Sequence, residues 1–309
     1  MSSTLDWRFG LRKSIRGWIP ERHSGPHGSR DYSVYLPDRR LVKKRPVVLL
    51  LHGCRQSALE FAEASRLTEL AEQHGLILVA PEQGVNDHQM RCWRWYERRN
   101  QERDRGEPGL LADLVAEVLG ESVRWRADPD QVYAIGLSAG GVMALTLAAT
   151  YPDVFAAVGA HSAPPHGSAG GILQGLSAMA GRTELPAVDG TSGMAPAIVF
   201  HGTDDTVVDP SNTDRVVRQW LDRWTACQED PDAERKIQHS EHTTGPVRGR
   251  SSTVSRWFAG RGPAVLEVWR VHGLGHAWSG GLPEGSYSDP DGPSAGTEMW
   301  RFLVRHRLS

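Results

Sequence analysis

The chain has 309 residues, 39% of them hydrophobic and 23% charged, with a formal net charge of -2. That length can bury a large core, and the near-neutral balance excludes the basic footprint of a nucleic-acid binder. No run of about 18 apolar residues is present and Met1–Arg8 lacks an apolar signal core, so no membrane span is expected. The expectation is a cytoplasmic protein, or a secreted one whose leader has been removed.

In chain order, residues 1–29 read as a polar extension punctuated by Gly and Pro, with apolar anchors at Trp7, Phe9 and Trp18. Arg30–Leu36 alternates at period two and ends at Pro37, which predicts an edge strand. After a basic turn (Arg39, Arg40, Lys43, Lys44, Arg45), Val47–Leu51 is apolar throughout, as in a strand covered on both faces. Ser57–Glu60 has capping-box spacing and opens a helix expected to run to about Gln73. Leu76–Ala80 is the next buried strand, stopped by Pro81. Residues 82–108 read as a long loop containing Cys92-Trp93-Arg94-Trp95-Tyr96, and a helix is expected over 109–126.

Gln131–Ile135 then reads as a buried strand and Val142–Ala149 as a helix, with Gly136-Leu137-Ser138-Ala139-Gly140 between them. A serine between two glycines at a strand-to-helix junction is the pattern of a nucleophile elbow. The sharp turn lifts the hydroxyl clear of the sheet, and the helix N-terminus behind it favours developing negative charge.

Val154–Ala160 is a further strand. Residues 161–195, rich in Gly, Ala and Ser with a helical piece at Ile172–Met179, read as a lid-like insertion over the carboxyl ends of the strands. Ala197–Phe200 is a strand, Pro210–Trp224 a helix, and 228–250 a charged, exposed excursion. Ser252–Phe258 and Ala264–Val271 alternate as strands, and a helix closes the chain from about Ser294 to His306. Strands alternating with helices predict one α/β domain over 1–309, with a mostly parallel central sheet and helices on both faces.

A serine hydroxyl needs a base to take its proton and a third group to orient that base. In open α/β sheets such groups gather on loops at the carboxyl ends of the strands. Two loops qualify, His201–Asp209 and His272–Gly281. With Ser138 they give the order nucleophile, acid, histidine, which is that of the α/β-hydrolase fold. Of thirteen histidines, His276 in its Gly-flanked loop is the expected base, with His272 as rival. Asp205 is the favoured acid, Asp209 comes next, and Asp204 is a third candidate. His201 reads as a core-edge hydrogen-bonding residue. His272 and His276 stand four residues apart, as zinc ligands on a helix do, but Gly273 and Gly275 argue against a helix there, and neither a metal nor a cofactor is expected.

The oxyanion needs two backbone N–H groups. Ala139 should supply one, and Cys54, in the loop Leu51-His52-Gly53-Cys54-Arg55-Gln56, the other. His52 is then scaffold. Trp93, Trp95 and Trp278 lie on loops near the site and read either as core or as an apolar wall for the acyl group. Three cysteines, Cys54, Cys92 and Cys227, have no metal-type spacing. Cys54 and Cys92 both sit beside site motifs, which leaves a disulfide between them open; a cytoplasmic location would keep them reduced.

Over roughly residues 30–308 the chain resembles the esterase family of short-chain polyhydroxyalkanoate (PHB) depolymerases, which also includes feruloyl and acetylxylan esterases. The likeness is carried by Leu51–Gln56, Cys92–Tyr96, Gly136–Gly141, His201–Val207, Gly275–Gly281 and Gly285–Pro290. It implies Ser138 as nucleophile, Asp205 as acid, His276 as base, and the amides of Cys54 and Ala139 as oxyanion hole. The implied partner is a small-molecule or oligomeric ester. Secreted polymer depolymerases of that family carry a leader, a linker and a substrate-binding domain, none readable here, so the likeness implies carboxylester hydrolysis more directly than attack on a solid polymer. Alternatives are a feruloyl- or acetylxylan-type esterase, an amide-cleaving enzyme on the same fold, and a non-catalytic binding protein.

Overall fold

The computed structural model describes residues 17–37, 44–187, 193–227 and 236–308. The expected anchors Trp7 and Phe9 and most of the basic turn (Arg39, Arg40 and Lys43) lie outside the described residues.

The strands are β1 (Trp18–Gly25), β2 (Gly28–Tyr35), β3 (Arg45–Leu51), β4 (Ile77–Pro81), β5 (Ala127–Leu137), β6 (Ala157–His161), β7 (Ala197–Gly202), β8 (Ile237–Val247), β9 (Arg250–Ala259) and β10 (Ala264–Val271). They form one ten-stranded sheet in the order β1-β2-β4-β3-β5-β6-β7-β10-β9-β8. The run from β4 to β10 is parallel, and antiparallel strands flank it on both sides. The helices are α1 (Ala58–Ala64), α2 (Leu67–His74), α3 (Gly106–Gly120), α4 (Ser122–Trp125), α5 (Ala139–Thr150), α6 (Ile172–Met179), α7 (Asn212–Ala226) and α8 (Ala295–Leu303). Two short strands, β11 (Trp278–Ser279) and β12 (Ser288–Asp289), pair separately.

The uninterrupted apolar run of β3 has a direct structural cause. Val47, Leu49 and Leu51 enter one core with residues of α3, α5 and α7, while Val48 and Leu50 enter the other with residues of α1, α2 and α8. Alternate side chains point to opposite faces, so a strand covered twice needs hydrophobes at every position. Among the described residues no helix is long and apolar enough to cross a membrane.

Three expectations change, besides two shifts of bounds: the helix expected over 109–126 is α3 and α4 with a break at Glu121, and the strand expected from Val154 begins at Ala157. Arg30–Leu36 is not an edge strand: β1, read as part of a loose extension, pairs outside β2 from Trp18↔Tyr35 to Gly25↔Gly28. Its polar side chains and Pro20 suit an edge and carry no strong strand signal. The helix expected from Ser57 to Gln73 is two helices, because Arg66 adopts a left-handed φ of 60°. There the Ser65 hydroxyl donates to the Phe61 carbonyl at 2.6 Å, and Leu282 N–H donates to the Ala64 carbonyl at 2.8 Å. Last, the described part of the 228–250 excursion is exposed as expected but forms β8, held by backbone pairing to β9.

Candidate active site

Ser138 follows β5 and stands at the N-cap of α5, with φ 55° and ψ -118°. Non-glycine residues take such angles only where the surroundings enforce them. Here the enforcement is close packing. A Cβ on Gly136 would lie 2.2 Å from the carbonyl carbon of Gly140, and one on Gly140 would lie 1.9 Å from the Leu51 carbonyl oxygen. Ser138 N–H donates to the His161 carbonyl at 2.8 Å, tying the elbow to β6.

Asp205 follows β7 and His276 follows β10, so both leave the same edge of the sheet as Ser138, which follows β5. Nδ1 of His276 lies 2.8 Å from Oδ2 of Asp205. The other carboxylate oxygen, Oδ1, accepts from the N–H groups of Val207 and Val208, both at 2.9 Å. Nε2 of His201 lies 3.4 Å from Oδ2 and donates to the Val208 carbonyl at 2.9 Å. Burial alone would raise the Asp205 carboxyl, but the hydrogen bonds from His201, His276 and Val208 N–H outweigh it and hold the group well below the usual carboxylate range. Asp205 therefore stays ionised and fixes the proton of His276 on Nδ1, which leaves Nε2 free to act as a base.

The rivals are occupied elsewhere. His272 is exposed and meets Thr253 Oγ1 at 3.0 Å on β9. Asp209 is exposed and accepts from Ser211 N–H at 2.9 Å, and Asp204 accepts from the Thr203 hydroxyl.

Ala139 is the first residue of α5, and Cys54 lies in the loop after β3. Neither amide donates to a protein acceptor among the described residues. A Cβ on Gly53 would stand 3.7 Å from Cβ of Ser138, so the two loops meet at the serine. Cys54 and Cys92 form a disulfide.

Ser138, Ala139, Cys54 and Cys92 line an apolar cavity of about 130 Å³ with Trp95, Tyr96, Val142, Pro164, Ile172, Leu176 and Met179. The helix α6, in the insertion expected to act as a lid, forms one wall. Two larger surface grooves, of about 730 and 610 Å³, have none of Ser138, Asp205 or His276 in their walls.

The tryptophans divide. Trp95 lines the cavity, but Trp93 and Trp278 are buried in the core and form no part of its wall. Trp93 donates from Nε1 to the His52 carbonyl at 3.1 Å, and Trp278 packs edge-on against Phe61. Position on a loop does not by itself separate core from wall. Tyr96, beside Trp95, joins the wall instead.

One residue at the site belongs to none of the sequence motifs. His161, at the end of β6, accepts Ser138 N–H with its carbonyl and Ser279 N–H with ring Nε2 at 3.2 Å. It thus bridges the elbow and the loop that carries His276, and burial pulls its imidazole down to about 3, so the ring stays neutral. A histidine directly after an apolar strand at this sheet edge was the available signal.

Comparison with known proteins agrees with this architecture. Residues 30–241 match the family model described as Esterase PHB depolymerase, a span that includes Ser138 and Asp205 and ends before His276. Poly(3-hydroxyalkanoate) depolymerase C of Paucimonas lemoignei is 28% identical over 242 residues, covering 75% of this chain and 54% of the depolymerase. Feruloyl esterase B of Thermothelomyces thermophilus is 32% identical over 204 residues, covering 60% of this chain and 68% of that enzyme. The acetyl xylan esterase from Aspergillus awamori superposes with a TM-score of 0.65 at 18% identity, covering 93% of this chain and 99% of that one, which shows a shared fold. With its parallel sheet, two helical layers and strand-borne loops, the chain has the α/β-hydrolase fold and belongs to the esterase PHB depolymerase family.

Proposed function

We propose that the chain is a serine carboxylesterase in which Ser138, His276 and Asp205 act as nucleophile, base and acid. The observation that carries this reading is the part-buried hydrogen bond from His276 Nδ1 to Asp205, on the same sheet edge as the strained Ser138. His276 Nε2 takes the Ser138 proton as the hydroxyl attacks the ester carbonyl, and the oxyanion is received by the amides of Cys54 and Ala139. The imidazolium then protonates the departing alcohol. Water repeats the sequence on the acyl-enzyme and releases the acid.

The substrate side of the reading rests on the cavity. Its volume, about 130 Å³, and apolar walls suit a short acyl chain or one hydroxyalkanoate unit. Beyond it, α6 presents Ile172, Leu173 and Leu176 at 66%, 81% and 60% exposure, an apolar surface along which a longer or oligomeric ester can lie. A second reading, an aromatic acyl group, is favoured by the edge-to-face pair of Trp95 and Tyr96, with ring centres 5.9 Å apart.

The test is a fluorophosphonate label followed by turnover of p-nitrophenyl butyrate. Covalent attachment at Ser138 and loss of turnover in Ser138→Ala support the reading; wild-type turnover in that variant ends it. A panel of hydroxybutyrate oligomers, methyl ferulate, acetylated xylan and a matched anilide then ranks the substrate classes.

A further inference from the structure

The polar groove of about 610 Å³ lies beside the catalytic cavity, and the two share the segment of α6. Ile172, Leu176 and Met179 line the cavity, whereas Gln174 and the preceding Gly170 line the groove. Arg98, also in the groove, stands two residues after Tyr96 of the cavity wall.

Three side chains bring unspent hydrogen-bond donors to this groove. The exposed guanidinium of Arg98 makes no ion pair among the described residues, while its neighbour Arg99 is paired with Glu97 at 2.9 Å. A Cβ on Gly170 would stand 3.2 Å from Arg98 Nε and 2.9 Å from Gln174 Oε1, so the two side chains meet over a position that has none. Gln174 uses Oε1 to accept Gly170 N–H at 2.6 Å, which leaves its amide NH2 as a donor.

The third donor is buried. His166 is 5% exposed, lines the groove, and places Nδ1 at 3.1 Å from the Thr146 hydroxyl oxygen. Thr146 is fully buried and its hydroxyl has no other acceptor among the described residues, so it donates to Nδ1. The ring proton then sits on Nε2, which has no protein partner among the described residues and is not sealed from the groove. Burial pulls this imidazole down to about 3, so Nε2–H is a neutral donor, and the charge of Arg223 bears on the same ring.

Donors that outnumber acceptors suit a ligand that can only accept. Of the groove's two carboxylates, Glu102 is held by Arg105 at 3.1 Å, which leaves Glu184 against Arg98 and Arg223. A guanidinium takes a carboxylate in bidentate fashion, and a neutral N–H beside it satisfies a remaining lone pair. The volume holds more than a lone ion, so the carboxylate belongs to a longer molecule.

We propose that this groove is a carboxylate subsite, and that the favoured esters carry a free carboxylate at the far end of the acyl chain, as monoesters of dicarboxylic acids do. The proposal rests on the carboxylesterase reading with the acyl group in the cavity. The chain would cross the first turn of α6, leaving its apolar part against Ile172 and its charged end at Arg98 and His166.

The test compares mono-p-nitrophenyl adipate, suberate and sebacate with the p-nitrophenyl hexanoate, octanoate and decanoate of matched length. The readout is the ratio of kcat/KM, acid over neutral, at each length. In wild type the ratio should exceed one at one length or more, and should shrink as salt is added. Arg98→Gln should lower it roughly three- to tenfold, Arg98→Lys should restore part of it, and His166→Phe should lower it too. Arg98 is exposed, so its variants keep the fold and decide the matter if His166→Phe does not fold. A wild-type ratio below one throughout, or the same ratio in wild type and Arg98→Gln, overturns the proposal. If wild type turns over none of these esters, the carboxylesterase reading fails instead, and calorimetric titration with suberate then judges the groove. Binding weakened in Arg98→Gln supports the carboxylate site, and no binding refutes it.

Discussion

Asp205 divides its two oxygens between holding its own loop and holding His276: Oδ1 accepts the Val207 and Val208 amides, while Oδ2 faces His276 Nδ1 at 2.8 Å. Replacing Asp205 by Asn puts an amide where that acceptor stood and favours the wrong imidazole tautomer. We expect kcat/KM to fall by roughly 10²–10⁴, the cost of losing a triad acid. Asp209→Asn, which disturbs only a turn at Ser211, should stay near wild type. Steady-state kinetics on both variants checks the pair, and a larger loss in Asp209→Asn would reverse the assignment.

Ser138 should be replaceable with a gain in stability. Its φ of 55° and ψ of -118° suit glycine better than any residue with a Cβ. Relief of such strain is worth about 1–3 kcal/mol, offset in part by the greater freedom of glycine in the unfolded chain. Ser138→Gly should therefore unfold at a higher denaturant concentration than wild type while turning over no ester. A lower midpoint would show that the elbow stores no strain.

The Cys54–Cys92 disulfide closes a segment with a sequence separation of 38 and contributes two residues to the cavity wall. Chain-entropy reasoning for that span gives about 3–4 kcal/mol of stabilisation. The Cys54→Ser/Cys92→Ser double variant should melt lower and lose activity as the loop bearing the Cys54 amide loosens. Calorimetry and kinetics together test this, and unchanged values in both would deny the bond any role.

Stability should fall in mild acid. Burial pulls the imidazoles of His52, His161, His166 and His306 from 6.5 down to about 4, 3, 3 and 4. Below pH 6.5 the unfolded chain takes up protons that the folded chain refuses, so this contribution is present above 6.5 and lost as pH falls. Each group contributes a slope of about 1.4 kcal/mol per pH unit. Glu107 acts in the opposite sense. Burial outweighs its hydrogen bonds and the nearby arginines and pushes it from 4.5 up to about 7, so its stabilising effect fades as pH rises through that window. His88, lowered by burial, joins the four, and His27, raised by its hydrogen bond to Asp113, joins Glu107; the lowered groups still outnumber the raised ones, and urea midpoints should drop from about pH 6.5 towards pH 4. His166→Gln should make the fall shallower.

Patterns among neighbouring residues carry the local grammar of the chain. The two-sided strand Val47–Leu51, the Gly136–Gly140 elbow and the order serine, aspartate, histidine were legible because periodicity and glycine placement are properties of neighbouring residues. The strand Ala264–Val271 was legible to the residue for the same reason. Whatever depends on partners distant in the chain becomes visible only in the folded molecule. Arg66 breaks a helix whose Ala64 carbonyl receives Leu282 N–H from more than two hundred residues away, and no local signal announces that. Trp93 and Trp95 stand two residues apart and both are buried in the same core, yet only Trp95 also lines the cavity. His52 and His161 look like bystanders in the string of letters. Only the folded chain joins one to the peptide of Cys54 and the other to both Ser138 and the loop of His276, because a hydrogen bond depends on where two groups lie in space and not on how far apart they are written.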